Sequence, residues 1–239
     1  DGNIDIAALQ TDGDKIINFG PFELLSYEDK EIKDLIFLTY QEARKWSFLG
    51  AEPKIFSITE KKITQEQSKA VQEFIHKNKL NKDDISCIGF HGLTILHQPV
   101  TSTNASKQTR QLGDGQMMAD YLQLPVVNDF RTNDIIHGGQ GAPLAPIYHL
   151  ALAKNINEKN IVFLNIGGVS NITYVGDKDE LIALDCGPGN APIDDFVRYH
   201  NKGLMDTDGG FAKLGTVNYD LVNAFMENNY FNLPYPKSL

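Results

Sequence analysis

Short apolar runs alternate along this chain with stretches whose apolar residues recur every three or four positions, and this alternation restricts the fold more than any single motif. Ile4–Leu9 reads as a strand, with Lys15–Phe19 as its hairpin partner across the turn TDGD. Ile32, Leu35, Ile36, Thr39, Ala43 and Trp46 mark the buried face of a helix, which makes Trp46 a core residue. Thr64 and Gln67 have capping-box form ahead of the stripe Ala70, Val71, Phe74 and Ile75, so a second helix is expected to begin there. Ile85–Phe90 reads as a short buried strand ending at HGLT. Asp114 is placed to cap a helix carrying Met118, Tyr121 and Leu122, with the adjacent Met pair filling core, and Leu124–Val127 returns as a strand. The loop HGGQGAPLAP is too rich in Gly and Pro to be regular, and a domain boundary beside it gives domains 1–136 and 137–239. Beyond it, Ile161–Asn165 and Asn171–Val175 form a hairpin closed by IGGVS, and Leu181–Leu184 is one further strand. The order predicts an α/β fold.

Composition removes several function classes. Thirty-one acids against 22 bases give a net charge of -9, and basic residues occur only as scattered pairs, which disfavours nucleic acid and anionic membranes as partners. Cys87 and Cys186 each end an apolar run far apart in sequence, which predicts buried free thiols in a reducing compartment, the cytoplasm. No apolar stretch approaches the ~20 residues that span a bilayer. The six histidines lack metal-ligand spacing, no G-x-S-x-G elbow is present, and no metal site is expected from protein side chains. MDTDGG lacks the distal glutamate of a calcium loop, so it reads as a capped turn. His97 and His149 read as packed or surface histidines. The chain starts with Asp in mid-strand pattern, as an internal piece of a longer protein would.

The stretch LDCGPGNAPIDDF, Leu184–Phe196, sets a carboxylate where a strand is expected to end. At the carboxyl end of such a strand Asp185 faces a ligand crevice. Gly187 and Gly189 permit close backbone approach, and Asn190 can cap a helix whose N-terminal N–H groups attract phosphate. The same residues also fit a plain strand-to-helix turn with Asp185 as its acceptor.

A set of motifs in one order goes further: DGNIDIA, GFHGLTILHQP, QLGDG, VVNDFRTNDIIHGGQGAPLAP, FLNIGGVSNITY, LDCGPGNAPIDDF, DTDGGFAKLG and PYPKSL. Together they resemble the anhydro-N-acetylmuramic acid kinase family over nearly the whole chain. The resemblance implies two RNase H-like domains of the actin, hexokinase and Hsp70 type around a nucleotide cleft, the second incomplete. It implies a cytoplasmic kinase of peptidoglycan recycling that uses ATP and Mg²⁺, opens the anhydro ring of 1,6-anhydro-N-acetylmuramic acid with water and phosphorylates O6. Asp185 matches the family's catalytic base. Asp1, Gly2 and Asp5 match one phosphate hairpin; Asn165, Gly167, Gly168 and Asn171 match a second; Gly187, Gly189 and Asn190 complete the nucleotide contacts. His91, Gly92, Thr94, Arg131, Asp134 and Gln140 match the sugar-binding segments, Arg131 offering a forked donor to a carboxylate or phosphate. Leu93 and Phe90 depart from the polar and small residues usual at those positions. The family's chains extend upstream by a G-x-M-S-G-T-S-L segment and downstream by roughly a hundred residues. The amino sugar and ATP are the expected partners, a homodimer is left open, and the rival readings are a non-catalytic sugar- or nucleotide-binding relative and an actin- or Hsp70-like ATPase acting on proteins.

Overall fold

The turn between the first two strands is closed by one carboxylate: Asp12 Oδ1 accepts from the Asp14 and Lys15 N–H groups at 2.9 and 2.7 Å. Strands β1 (Asn3–Thr11) and β2 (Ile16–Ser26) therefore pair antiparallel, extending beyond both predicted runs. The computed structural model describes residues 3–98, 108–156, 158, 160–235 and 237, and the chain divides into the units Asp1–Gly141 and Ala142–Leu239.

In the first unit, helix α1 (Lys30–Trp46) is capped by Asp29, whose side chain accepts from Glu31 N–H, and buries the expected face through Ile32, Ile36, Thr39 and Ala43. Trp46 packs edge-on against the buried Phe56. Helix α2 (Lys54–Lys77) corrects the capping-box expectation, since Thr64 lies within it. Phe56, Thr59 and Ile63 carry the buried stripe a further two turns back, and that burial outweighs the local start signal. Thr64 is instead a tertiary acceptor, its Oγ1 taking the Asp114 N–H at 3.1 Å, while Glu60 takes the Gly113 N–H at 3.1 Å. α2 thus sets the start of helix α3 (Gly115–Leu122), which Asp114 caps through the Met117 N–H as expected.

The remaining strands of this unit are short. β3 (Ile88–Phe90) pairs parallel with β6 (Val126–Asn128), so only the end of the run from Ile85 becomes strand. β4 (Leu93–Gln98) and β5 (Gln108–Leu112) form an antiparallel pair absent from the sequence reading. One core cluster joins Tyr27, Ile36, Phe56, Ile63, Ile95 and Leu112, with Leu93 packed against it; a second joins Ile75, Phe90, Met118, Leu122 and Leu124. The departures at Phe90 and Leu93 therefore serve packing. α4 (Thr132–Ile136) closes the unit.

In the second unit, α5 (Pro146–Ala153) precedes a three-stranded antiparallel sheet of β7 (Ile161–Ile166), β8 (Val169–Val175) and β9 (Leu181–Pro188) in that order. The hairpin closed at Gly167–Gly168 is as expected. β9 runs past its predicted end, so Asp185 lies inside the strand. α6 (Ala191–Tyr199) and α7 (Tyr219–Met226) follow. The MDTDGG segment is a capped turn: the Asp206 carboxylate accepts from Phe211 and Ala212 N–H at 2.8 and 3.0 Å. Both cysteines are free, but Cys87 is exposed and Cys186 half-buried, which corrects the expectation of buried thiols. Among the described residues no helix is long and apolar enough to cross a membrane.

Candidate functional site

The second unit lines up three of the residues singled out above. Antiparallel register sets Asn165 opposite Asn171 and Asn171 opposite Asp185, a single row across β7, β8 and β9. Ser170 pairs with Gly187 while Asn171 pairs with Asp185, so Cys186 is an extra residue in β9. A bulge of this kind bends a strand and re-aims the neighbouring side chain, here Asp185. Asp185 is 8% exposed. Its main chain is held on the far side of the strand as well: the N–H donates to the Lys237 carbonyl at 3.0 Å, and the carbonyl accepts from Tyr230 Oη at 2.9 Å. Burial, then the charge of Asp185, pushes the Tyr230 hydroxyl up to about 12, so it stays a donor. Lys237 Nζ donates to the Tyr230 and Phe231 carbonyls at 2.9 and 3.2 Å and lies over the Tyr230 ring. Burial and then Asp185 also raise the Cys186 thiol, which favours its neutral form.

The glycines beside this row divide into two kinds. A Cβ on Gly189 would run into the Gly167 carbonyl oxygen, so Gly189 is glycine because two turns touch there. Gly167 and Gly168 have neither a positive φ nor a crowding contact, the nearest atoms to an added Cβ lying at 3.6 and 3.5 Å. Nothing in the described fold demands glycine at those two positions, which suits a turn that must admit a ligand close to its backbone. The expectation of open donors at the α6 N-terminus is corrected. Gly189 and Asn190 N–H donate to the Gly168 and Gly167 carbonyls at 2.8 Å each, Ala191 N–H approaches the Gly168 carbonyl, and Pro192 has no donor. Asn190 occupies the cap position without a side-chain cap bond. These groups brace the Gly-Gly turn.

In the first unit, a second constellation gathers around the loop after α4. Arg131 Nε donates to His91 Nε2 at 2.9 Å and Nη1 to the Gly141 carbonyl at 2.6 Å, while Asp134 Oδ2 accepts the Gly141 N–H at 2.7 Å. Arg131 and Asp134 thus hold the segment that carries Gln140. His91 Nδ1 lies 3.0 Å from the Gly92 carbonyl and must donate to it, so Nε2 is the unprotonated nitrogen that receives Arg131. Gly92, at φ 70°, sits where a Cβ would strike the Leu112 carbonyl, which makes it a packing glycine. Thr94 pairs with Gln111, whose amide donates to its Oγ1 at 3.3 Å. Asp5 is an exposed residue of β1 opposite Leu24, and Asp1 and Gly2 lie outside the described residues. Among the described residues no group of three or more His, Cys, Asp or Glu side chains is placed to hold a metal.

Burial and then Arg131 hold both His91 and His97, which stands on β4, below the ordinary histidine value of 6.5. Although part of His91 is at the surface, the bond it accepts from Arg131 requires a neutral Nε2. A folded state that keeps a histidine neutral loses stability as pH falls through the depressed pKa and keeps it in full above 6.5. The melting temperature of the complete protein is therefore expected to fall as pH drops below about 6.5, and His91→Gln to shrink that fall. Equal pH dependence in both proteins would remove the Arg131–His91 bond from the explanation.

His97 is the functional candidate that sequence reading passed over, since only its neighbours in space distinguish it from a packed histidine. The profile of the anhydro-N-acetylmuramic acid kinase family matches residues 50–239. Three curated relatives named anhydro-N-acetylmuramic acid kinase are similar over the whole chain: 46% identical in Brucella anthropi, 42% in Mesorhizobium japonicum and 43% in Rhizobium rhizogenes. In each case the chain spans 64% of the relative's length. Because the profile takes in the Arg131 loop, the Gly-Gly turn and the Asp185 row together, the resemblance carried by separate motifs becomes membership: the chain belongs to the anhydro-N-acetylmuramic acid kinase family.

Proposed function

We propose that the complete protein is an ATP-dependent kinase that opens the anhydro ring of 1,6-anhydro-N-acetylmuramic acid with water and phosphorylates its O6, within a fold of two RNase H-like domains. The observation that carries this reading is the Asn165–Asn171–Asp185 row beside a Gly-Gly turn that the fold alone does not require. ATP fits that turn. Gly167 and Gly168 would lie against its phosphates, with Asn165 and Asn171 at the turn's base and Gly187, Gly189 and Asn190 bracing it from behind. Bound ATP, with Mg²⁺ as counter-ion of its phosphates, supplies the phosphoryl group and a charged leaving oxygen.

The remaining chemistry falls to side chains of this protein. Asp185, aimed by the Cys186 bulge and held through its main chain by Tyr230 and Lys237, orients a water and takes its proton, so that oxygen bonds to the anomeric carbon as the bridge to O6 breaks. Burial keeps bulk water from competing for the carboxylate. Arg131 and Asp134 set the Gln140 loop, and Arg131 presents a cation to the lactyl carboxylate. The same reading sets the enzyme in the cytoplasm, where ATP is available.

The direct test supplies the complete protein with the anhydro sugar and γ-labelled ATP. The expected product is ring-opened N-acetylmuramic acid 6-phosphate, formed in step with ADP. ADP release without labelled sugar would favour the reading as an ATPase acting on another partner.

A further inference from the structure

Resting on the sugar-kinase reading, we infer that His97 Nε2 and Gln140 Oε1 form a two-point site for one hydroxyl of the sugar. His97 stands on β4 opposite Thr109 of β5, with Nδ1 3.1 Å from Thr109 Oγ1. Thr109 Oγ1 already accepts from the Gln111 amide at 2.6 Å, so its single proton is free to go to Nδ1. A neutral ring held that way carries its own proton on Nε2 and offers it as a donor. Burial and the nearby Arg131 favour the neutral ring.

Among the described residues, Nε2 of His97 is buried without a hydrogen-bond partner, and so is Oε1 of Gln140. The two belong to one locality. A Cβ on Gly141 would lie 3.4 Å from His97 Cε1, the carbon between the two ring nitrogens, and Gly141 follows Gln140 in the chain. The Gln140 backbone comes within weak hydrogen-bonding reach of the ring, which favours its charged form, but no bond of ordinary geometry reaches Nε2 among the described residues. One orphan is thus a donor and the other an acceptor. Leaving either unpaired in a buried place is costly, and a sugar hydroxyl accepts from one and donates to the other. In 1,6-anhydro-N-acetylmuramic acid, positions 1 and 6 form the bridge, position 2 bears the acetamido group and position 3 the lactyl ether. The hydroxyl at position 4 is the only free one on the ring, and it is the group the site would read.

The test compares the parent sugar with its 4-deoxy analogue on the complete protein, using wild type, His97→Phe and Gln140→Leu. For wild type, kcat/KM is expected to drop about 10–100-fold when the hydroxyl is removed from the sugar. Each variant is expected to lose a similar factor on the parent sugar, to handle both sugars alike, and to keep the wild-type KM for ATP. Gln140→Glu, which keeps the acceptor, should retain the preference for the parent sugar. If His97→Phe does not fold, Gln140→Leu on its loop carries the same comparison. Variants that still prefer the parent sugar by the wild-type factor would overturn the inference alone, making the two atoms a water site. A wild type that turns over neither sugar would overturn the kinase reading and this inference with it.

Discussion

Asp185→Asn in the complete protein is expected to lower kcat by ~10²–10⁴-fold while leaving the KM for ATP and the melting temperature close to wild type. The amide has the size of the carboxyl it replaces and keeps its acceptor oxygen, and the bonds to Lys237 and Tyr230 are made by the main chain, which the substitution does not touch. What is lost is the base. Because ring opening and phosphoryl transfer are one coupled event in the proposed reaction, ADP and the sugar phosphate should fall together. A simple acceptor role predicts the opposite split, with a lower melting temperature and an unchanged kcat in the enzyme that stays folded. A stable variant with wild-type kcat would therefore end the assignment of Asp185 as base, and assays of both products with a thermal melt decide it.

Gly189→Ala should destabilise the second unit by about 3 kcal/mol, while Gly168→Ala should leave its stability nearly unchanged. At position 189 the new methyl meets the Gly167 backbone carbonyl, which cannot move away without breaking the bonds from Gly189 and Asn190 N–H to the turn. At position 168 the nearest atom is the Ala191 Cβ at 3.5 Å, an ordinary contact. If the Gly-Gly turn holds phosphates, Gly168→Ala is expected to raise the KM for ATP about tenfold or more in a protein that melts like wild type. Denaturant titrations of both variants with ATP kinetics on the second separate these roles. Equal stability losses would show that both glycines serve packing, and an unchanged KM for ATP in the Gly168 variant would remove the turn from the nucleotide site.

Some of this molecule was legible before any coordinates. The stripe from Ile32 to Trp46, the Asp114 cap, the hairpin closed at Gly167–Gly168 and the capped turn at Asp206 depend on residues within a few positions of one another, and local spacing reports such elements faithfully. The ordered motifs also sufficed for the family. Other features depended on partners far along the chain. Thr64 carries a start signal but lies inside α2, because Phe56 and Ile63 bury a stripe on the N-terminal side and Asp114 claims its hydroxyl. The donors that α6 offers by local rules are taken by the carbonyls of a turn two strands away, and the bulge at Cys186 arises from β8–β9 register rather than from composition. His97 and Gln140 look ordinary in sequence and become a candidate pair only when tertiary packing buries a polar atom of each without a partner among the described residues. Local patterns in the sequence carried the α1 stripe, the Asp114 cap, the Gly-Gly hairpin and the family. Tertiary structure alone decided which backbone donors stay available and where Asp185 is aimed, because hydrogen-bond partners and strand register are chosen by contacts between distant residues, which no local pattern encodes.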